Sequence, residues 1–175
     1  MRGRVLASER ARVRDWGGLR SPEKSGIRSR ENVDMTAKCK VPVTASWSTQ
    51  LPDDFVRIGI SRGPPRGQRG YRMYSPLKPG PWFRTVPPKH FYKLYMAQLA
   101  ELDPERVLTD LNALAPGQTP ALLCFERSPP DSRWCHRGLV SGWLKDTLDL
   151  SVLEYGHEGE GAGWSHPKLP PFLRR

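Results

Sequence analysis

Between residues 55 and 100 the chain contains no aspartate or glutamate. A generic solvated surface intersperses both signs of charge, so an ordinary neutral cover is excluded for this segment. Cysteine is scarce as well. Cys39, Cys124 and Cys135 are the only three, too few and odd in number for a disulfide framework. With no export-type apolar segment to be read, this predicts a reducing, cytoplasmic setting. No apolar stretch approaches the length of a membrane span, so no membrane partner is expected. Nothing repeats at a fixed period, which excludes solenoids and arrays.

What is present is positive charge, unevenly spread. The formal net charge is +10. Residues 55–100 carry nine Lys and Arg, whereas residues 101–175 hold eight basic against eleven acidic side chains. Most of the positive field therefore sits on one internal segment, which favours an anionic partner.

Residues 1–40 are Arg-, Ser- and Gly-rich with weak periodicity, and they read as a disordered extension. The acids Glu9, Asp15, Glu23 and Glu31 argue against an organellar presequence. Met35 is the expected natural start, where the composition changes. A first strand is expected within residues 41–47 and a second over residues 56–61, the latter ending in Arg62-Gly63-Pro64-Pro65, which must be loop. The run to Pro88 is rich in Gly and Pro and reads as a long functional loop, because its aromatics argue against simple disorder. Amphipathic spacing predicts one helix over residues 89–102. A second follows with Asp103 as cap and Pro104 in its first turn, stopped by Pro116-Gly117.

The organising stretch is residues 120–144. An apolar strand over 121–125 leads into Ser128-Pro129-Pro130-Asp131-Ser132, and Leu139, Val140, Trp143, Leu144 and Leu148 recur at helical spacing. Asp131 or Ser132 is the expected cap of that helix. A last strand is expected over residues 150–155 and a flexible Gly/Pro-rich tail over 156–175. Strand, helices, strand, helix, strand predicts a small α/β domain over 41–155, in two or three layers, with a mainly parallel sheet and crossover helices.

In such a sheet, ligands bind beyond the carboxyl ends of the strands. Arg62 and Arg137 are candidate anion-binding residues there, helped by the start of the last helix. The alternative is that one of them pairs with Glu126 to tie strand to helix. Cys135 at a helix start has thiolate character, so Cys135, His136 and Glu126 are candidate catalytic residues. Neither Cys124 nor Cys135 opens a Cys-x-x-x-x-x-Arg phosphatase loop. No cofactor is expected; Cys124, Cys135 and His136 are of metal-ligand type, but their spacing fits no closed zinc motif. Arg66, Arg69, Arg72, Tyr74, Trp82 and Arg84 alternate charge with aromatic rings, the pattern by which single-stranded nucleic acid is held through phosphates and stacking. Three classes follow: a binder of a polyanion such as nucleic acid or nucleotide; a hydrolase or transferase on such a substrate; and a thiol-dependent redox protein, which needs Cys124 close to Cys135.

Ile60-Ser61-Arg62-Gly63-Pro64-Pro65, the Tyr-Ser-Pro-Leu-Lys-Pro run from Tyr74, Leu122-Leu123-Cys124-Phe125-Glu126 and Cys135-His136-Arg137 together resemble the family called domain of unknown function 488, over roughly residues 41–155. The resemblance implies a compact α/β domain marked by Arg62, Cys124, Glu126, Cys135, His136 and Arg137. Many members carry Asp where this chain has Ser61, so a carboxylate role at that position is not expected here.

Residues 1–34 have little apolar surface to bury. Deleting them is expected to leave the thermal midpoint unchanged, and a drop of several degrees in a melt would show that they belong to the fold.

Overall fold

Strand β4 (Thr119–Cys124) is the centre of the molecule, and the reason is its composition. Pro120, Ala121, Leu122, Leu123 and Cys124 are all buried, which suits a strand covered on both faces. In the computed structural model, which describes residues 39–131 and 133–174, β4 lies between β1 (Val43–Ser46) and β2 (Phe55–Gly59). Strand β3 (Tyr71–Met73) adds to the outer edge of β2, and all pairings are parallel. The order β1-β4-β2-β3 makes a small α/β domain with helices α1 (Pro88–Ala100), α2 (Pro104–Leu114) and α3 (His136–Leu148).

Side chains alternate across a strand, and the two faces are covered differently. Ile58 and Leu122 face the core that also holds Phe91, Tyr95, Leu111 and Leu139 of the three helices. Ala121 and Leu123 face the other way, onto Trp47, Leu51, Tyr71 and Tyr155. All three helices therefore share one face, and a thinner aromatic layer closes the other.

The helices form for local reasons. In α1, Phe91, Tyr95 and Leu99 recur at helical spacing and are buried. The Asp103 carboxylate caps α2 by accepting from the Glu105 and Arg106 backbone amides at 3.0 and 3.2 Å. Helix α3 is different: residues 136–144 are buried without exception, as in a helix with apolar neighbours all round.

The cover over α3 is the C-terminal segment. Against the expectation of a flexible tail, Gly163, His166, Lys168 and Leu169 are buried. The Lys168 carbonyl accepts from the Cys135 amide at 2.8 Å, and Lys168 Nζ donates to the carbonyls of Asp131 and Arg133. These bonds also explain why α3 begins at His136 instead of near Asp131. The Asp131 carboxylate is engaged by Arg133 through backbone and guanidinium, and Cys135, the residue before the helix, is itself extended.

Two smaller expectations also change. The segment around Leu153 joins β1 only through an isolated bridge, Thr44 to Glu154, so the last strand is reduced to a contact. Tyr71–Met73, expected as loop, pairs with β2. Residues 1–38 lie outside the described residues. Lys40 does not belong to a disordered extension, since its amide donates to Asn112 Oδ1 at 2.8 Å and its Nζ to the Gly117 carbonyl at 2.9 Å. No helix among the described residues is long and apolar enough to cross a membrane.

Gly138 sits where the tail touches α3. A Cβ there would stand 2.7 Å from the Lys168 carbonyl carbon and 2.8 Å from the Leu169 nitrogen, both backbone atoms that cannot swing away. Gly138→Ala is expected to destabilise the fold by about 1–3 kcal/mol through overpacking, read as a lower urea midpoint. An unchanged midpoint would mean the tail does not dock on α3 in solution.

Candidate functional site

Three chain segments meet where β2 and β4 end. Cys124 is the last residue of β4, Ser61 and Arg62 follow β2, and Cys135 is the N-cap of α3. Between them lies a cleft of ≈ 590 Å³ whose lining includes Arg62, Cys124, Glu126, Cys135 and His136. Its position follows the rule for open parallel sheets, beyond the carboxyl ends of the strands.

At the floor of the cleft the Cys124 sulfur lies 3.7 Å from Nδ1 of His136, and the Cys135 sulfur lies 3.7 Å from the same nitrogen. Nε2 of His136 is 3.1 Å from the Ile60 carbonyl oxygen. A carbonyl only accepts, so Nε2 carries a proton, and Nδ1 faces the two sulfurs. The ring is braced edge-on by Tyr95, 5.3 Å between centroids, whose hydroxyl donates to the Leu77 carbonyl at 2.7 Å.

Burial opposes a thiolate at Cys135, but the hydrogen bond from Cys124 and the charges of Arg137 and His136 outweigh it and hold that thiol well below its ordinary value. Cys124 moves the opposite way, pushed well up by its bond to Cys135 and by burial. Glu126, beside both, is raised by burial and by the Cys135 charge; its Oε2 is buried with no hydrogen-bond partner.

Arg137 is not in the cleft. It is fully buried, its Nε and Nη2 donate to Glu154 at 2.9 and 2.8 Å, and its Nη1 donates to the Glu126 carbonyl at 2.7 Å. With its donors committed it cannot grip an anion, which corrects its expected role. Of the two pairings expected with Glu126, neither forms through the carboxylate; the acid is Glu154. His136 is likewise committed at both ring nitrogens, so it positions the thiols and has no free nitrogen for a ligand's proton.

The basic-aromatic segment does not form one surface. Tyr74 is buried and its hydroxyl donates to Asp110 at 3.2 Å, and Trp82 packs edge-on against Phe91, 5.0 Å between centroids. The Tyr74 ring is spent on the core, so the expected base-stacking by it is corrected, and Trp82 is half-buried against the core. Arg66 and Arg69 are exposed, and Arg72 donates to the Leu114 carbonyl at 3.1 Å. Arg84 alone of this set lines the cleft.

Some participants had no motif to reveal them. Phe83 and Trp134 line the cleft but read as generic aromatics. Ser61 has its hydroxyl engaged, accepting from Trp47 Nε1 at 3.0 Å and donating to the Gly63 carbonyl at 2.7 Å. Glu154 was signalled only as a lone acid within Val152-Leu153-Glu154-Tyr155, and His166 lay in a segment that reads as tail. Comparison with protein-family models, curated proteins and solved structures finds no match for this chain.

Beneath the cleft the Glu154 carboxylate also accepts from Ser128 and Thr44. His166 places Nε2 2.8 Å from Thr44 Oγ1, while its Nδ1 accepts from the Lys168 amide at 3.1 Å, the pattern of a neutral ring. Burial, with Arg137 and Lys168 nearby, brings its pKa down to about 4, although Glu154 pulls the other way. Glu154 would be raised by burial, but Arg137, Ser128 and Thr44 hold it below its usual value.

Both groups bind protons more tightly unfolded than folded, so stability falls with acidification. The His166 contribution is complete above its ordinary 6.5 and is lost as pH falls towards about 4. The Glu154 contribution is lost below 4.5. Urea midpoints are expected to decline from pH 6.5 downward, and His166→Asn is expected to flatten that upper part of the profile. A flat wild-type profile over the same range would contradict the neutral, buried imidazole.

Proposed function

We propose that this chain binds a small organic anion, phosphate- or carboxylate-bearing and of about nucleotide size, in the cleft beyond β2 and β4. The observation that carries the proposal is the pair Arg62 and Arg84. Both guanidinium groups stand over the single ring of Phe83, at 5.2 and 5.0 Å from its centroid, and both line the cleft. Neither forms an ion pair among the described residues. Their own segment supplies no acid to neutralise them, and Glu126, the acid of the lining, pairs with neither, so a ligand anion would find both guanidinium groups free of an acidic partner.

The rest of the lining suits the body of such a ligand. Phe83, Val86, Phe91 and Trp134 offer apolar and aromatic faces, and the volume falls in the ordinary range for small-molecule sites, about 300–1,000 Å³. With Tyr74 buried in the core and Trp82 packed against it, a confined ligand fits better than an extended nucleic-acid strand. The kinship with domain of unknown function 488 belongs to the same proposal, since Arg62, Cys124, Glu126, Cys135 and His136 of that motif set line this cleft. So does a cytoplasmic location, which the unpaired state of Cys39, Cys124 and Cys135 supports.

A second reading, an enzyme that processes the bound anion, is favoured by Glu126. It is the acidic residue of the cleft lining, and its unpartnered Oε2 is free to exchange a proton with a ligand.

Calorimetric titration at low salt with a nucleoside monophosphate and with inorganic phosphate tests both. Charge-assisted hydrogen bonds contribute roughly 1.5–3 kcal/mol. Arg62→Ala and Arg84→Ala are each expected to weaken binding by about 10- to 150-fold, with Glu126→Gln nearly unaffected in binding. If wild-type protein binds neither probe, or the two arginine variants bind like wild type, the cleft is not an anion site. Hydrolysis of a bound ester that survives in Glu126→Gln would remove the enzymatic reading.

A further inference from the structure

The thiol and imidazole groups on the cleft floor are arranged for something the anion does not use. The sulfurs of Cys124 and Cys135 and Nδ1 of His136 all lie within 4.8 Å of one another. Each sulfur is 3.7 Å from the nitrogen. We propose that these three side chains form a binding site for a thiophilic divalent transition-metal ion of the zinc class, with the fourth coordination position turned to the cleft.

Geometry is the first support. Tetrahedral zinc with metal–sulfur bonds of about 2.3 Å and metal–nitrogen bonds of about 2.0–2.1 Å separates sulfur from nitrogen by about 3.5–3.6 Å. Both observed separations, 3.7 Å, already lie close to that range, so little rearrangement is needed to seat an ion. The second support is how the ring is held. A metal-bound histidine characteristically donates its other N–H to a carbonyl or carboxylate, which fixes its tautomer and aim. His136 meets that condition through the Ile60 carbonyl, and Tyr95 braces the ring.

The third support is an imbalance of donors. One imidazole nitrogen makes one hydrogen bond at a time, so two equidistant sulfurs share it poorly. Glu126 stands beside both sulfurs with Oε2 buried and unpartnered. The nearby cation, Arg137, is committed to Glu154 and the Glu126 carbonyl. Two sulfurs and one imidazole nitrogen thus face one another within 4.8 Å, with a free carboxylate oxygen nearby, and a shared metal ion satisfies the three together. Whatever protons the two sulfurs and Nδ1 share pass to solvent on binding. Three protein ligands with a position open to a cleft is the arrangement of catalytic zinc, which leaves room for a water or a ligand atom.

This site stands independently of the anion proposal, and its test uses different residues. The full chain, reduced and stripped with a chelator, is titrated anaerobically with Co²⁺. A thiolate-to-cobalt charge-transfer absorption saturating at equimolar metal is expected, with Zn²⁺ displacing the cobalt. Cys124→Ser and Cys135→Ser are expected to abolish the absorption, and Cys39→Ser, at an exposed position, to leave it intact. Should the core variants fail to fold, alkylation of wild-type protein followed by peptide mapping decides. Zn²⁺ is expected to protect Cys124 and Cys135 and leave Cys39 labelled. No cobalt absorption in folded wild-type protein, absorption that survives both core substitutions, or labelling unaffected by Zn²⁺ overturns the site. So does formation of a Cys124–Cys135 disulfide in place of metal uptake. Loss of phosphate binding in the Arg62 and Arg84 variants with metal uptake retained separates the two proposals.

Discussion

The buried ion pair between Arg137 and Glu154 ties together parts of the chain that lie far apart in sequence or in the sheet. Both side chains are fully excluded from solvent, where two charges are tolerated only if paired and hydrogen-bonded throughout. Satisfying them requires the Glu126 carbonyl, Thr44 of β1 and Ser128 of the loop after β4. His166 joins through Thr44. The start of α3, the end of β4, the edge strand and the C-terminal segment are thereby fixed to one cluster. Removing one partner of such a pair leaves an uncompensated buried charge, a loss of about 3–5 kcal/mol.

That constraint also allocates the functional groups above it. Because Arg137 turns away from the cleft, the arginines that line it without an acidic partner are Arg62 and Arg84, which come from the loop after β2 and the turn before α1. Because the Glu126 backbone carbonyl is held by Arg137, its side chain is left beside the two thiols. The tail is part of this arrangement: the Lys168 carbonyl holds the Cys135 amide, and so fixes the residue that carries one of the sulfurs. Cleft floor and structural core share their supports, which gives the floor side chains little freedom to drift.

The positive segment has two uses. Its aromatic residues insulate one side of the core: Tyr74 and Leu77 are buried, and Trp82 and Phe83 pack against it. Its arginines after Arg57, which is half-buried against the Trp47 and Thr49 carbonyls, stay at the surface or at the cleft rim. A run with no acid therefore serves packing with its rings and a local positive field with its charges.

Periodicity and turn chemistry in the sequence determined the elements: the apolar run of β4, the 91/95/99 face of α1, the Asp103 cap of α2 and the parallel α/β class. They also placed Cys124, Glu126, Cys135 and Arg62 together, because residues just after strand ends in a parallel sheet must converge. Only the tertiary structure decided which charge meets which. Arg137 chose Glu154 over Glu126 because Glu154 sits 17 residues away in a segment laid against β1, and no local pattern encodes that contact. The burial of His166 and Lys168 was equally hidden, since Gly- and Pro-rich composition reports the lack of regular structure and not the lack of packing. The common approach of two thiols to one imidazole nitrogen depends on the Ile60 carbonyl, a backbone atom 76 residues from His136. Side-chain spacing carries no record of where a distant carbonyl will point.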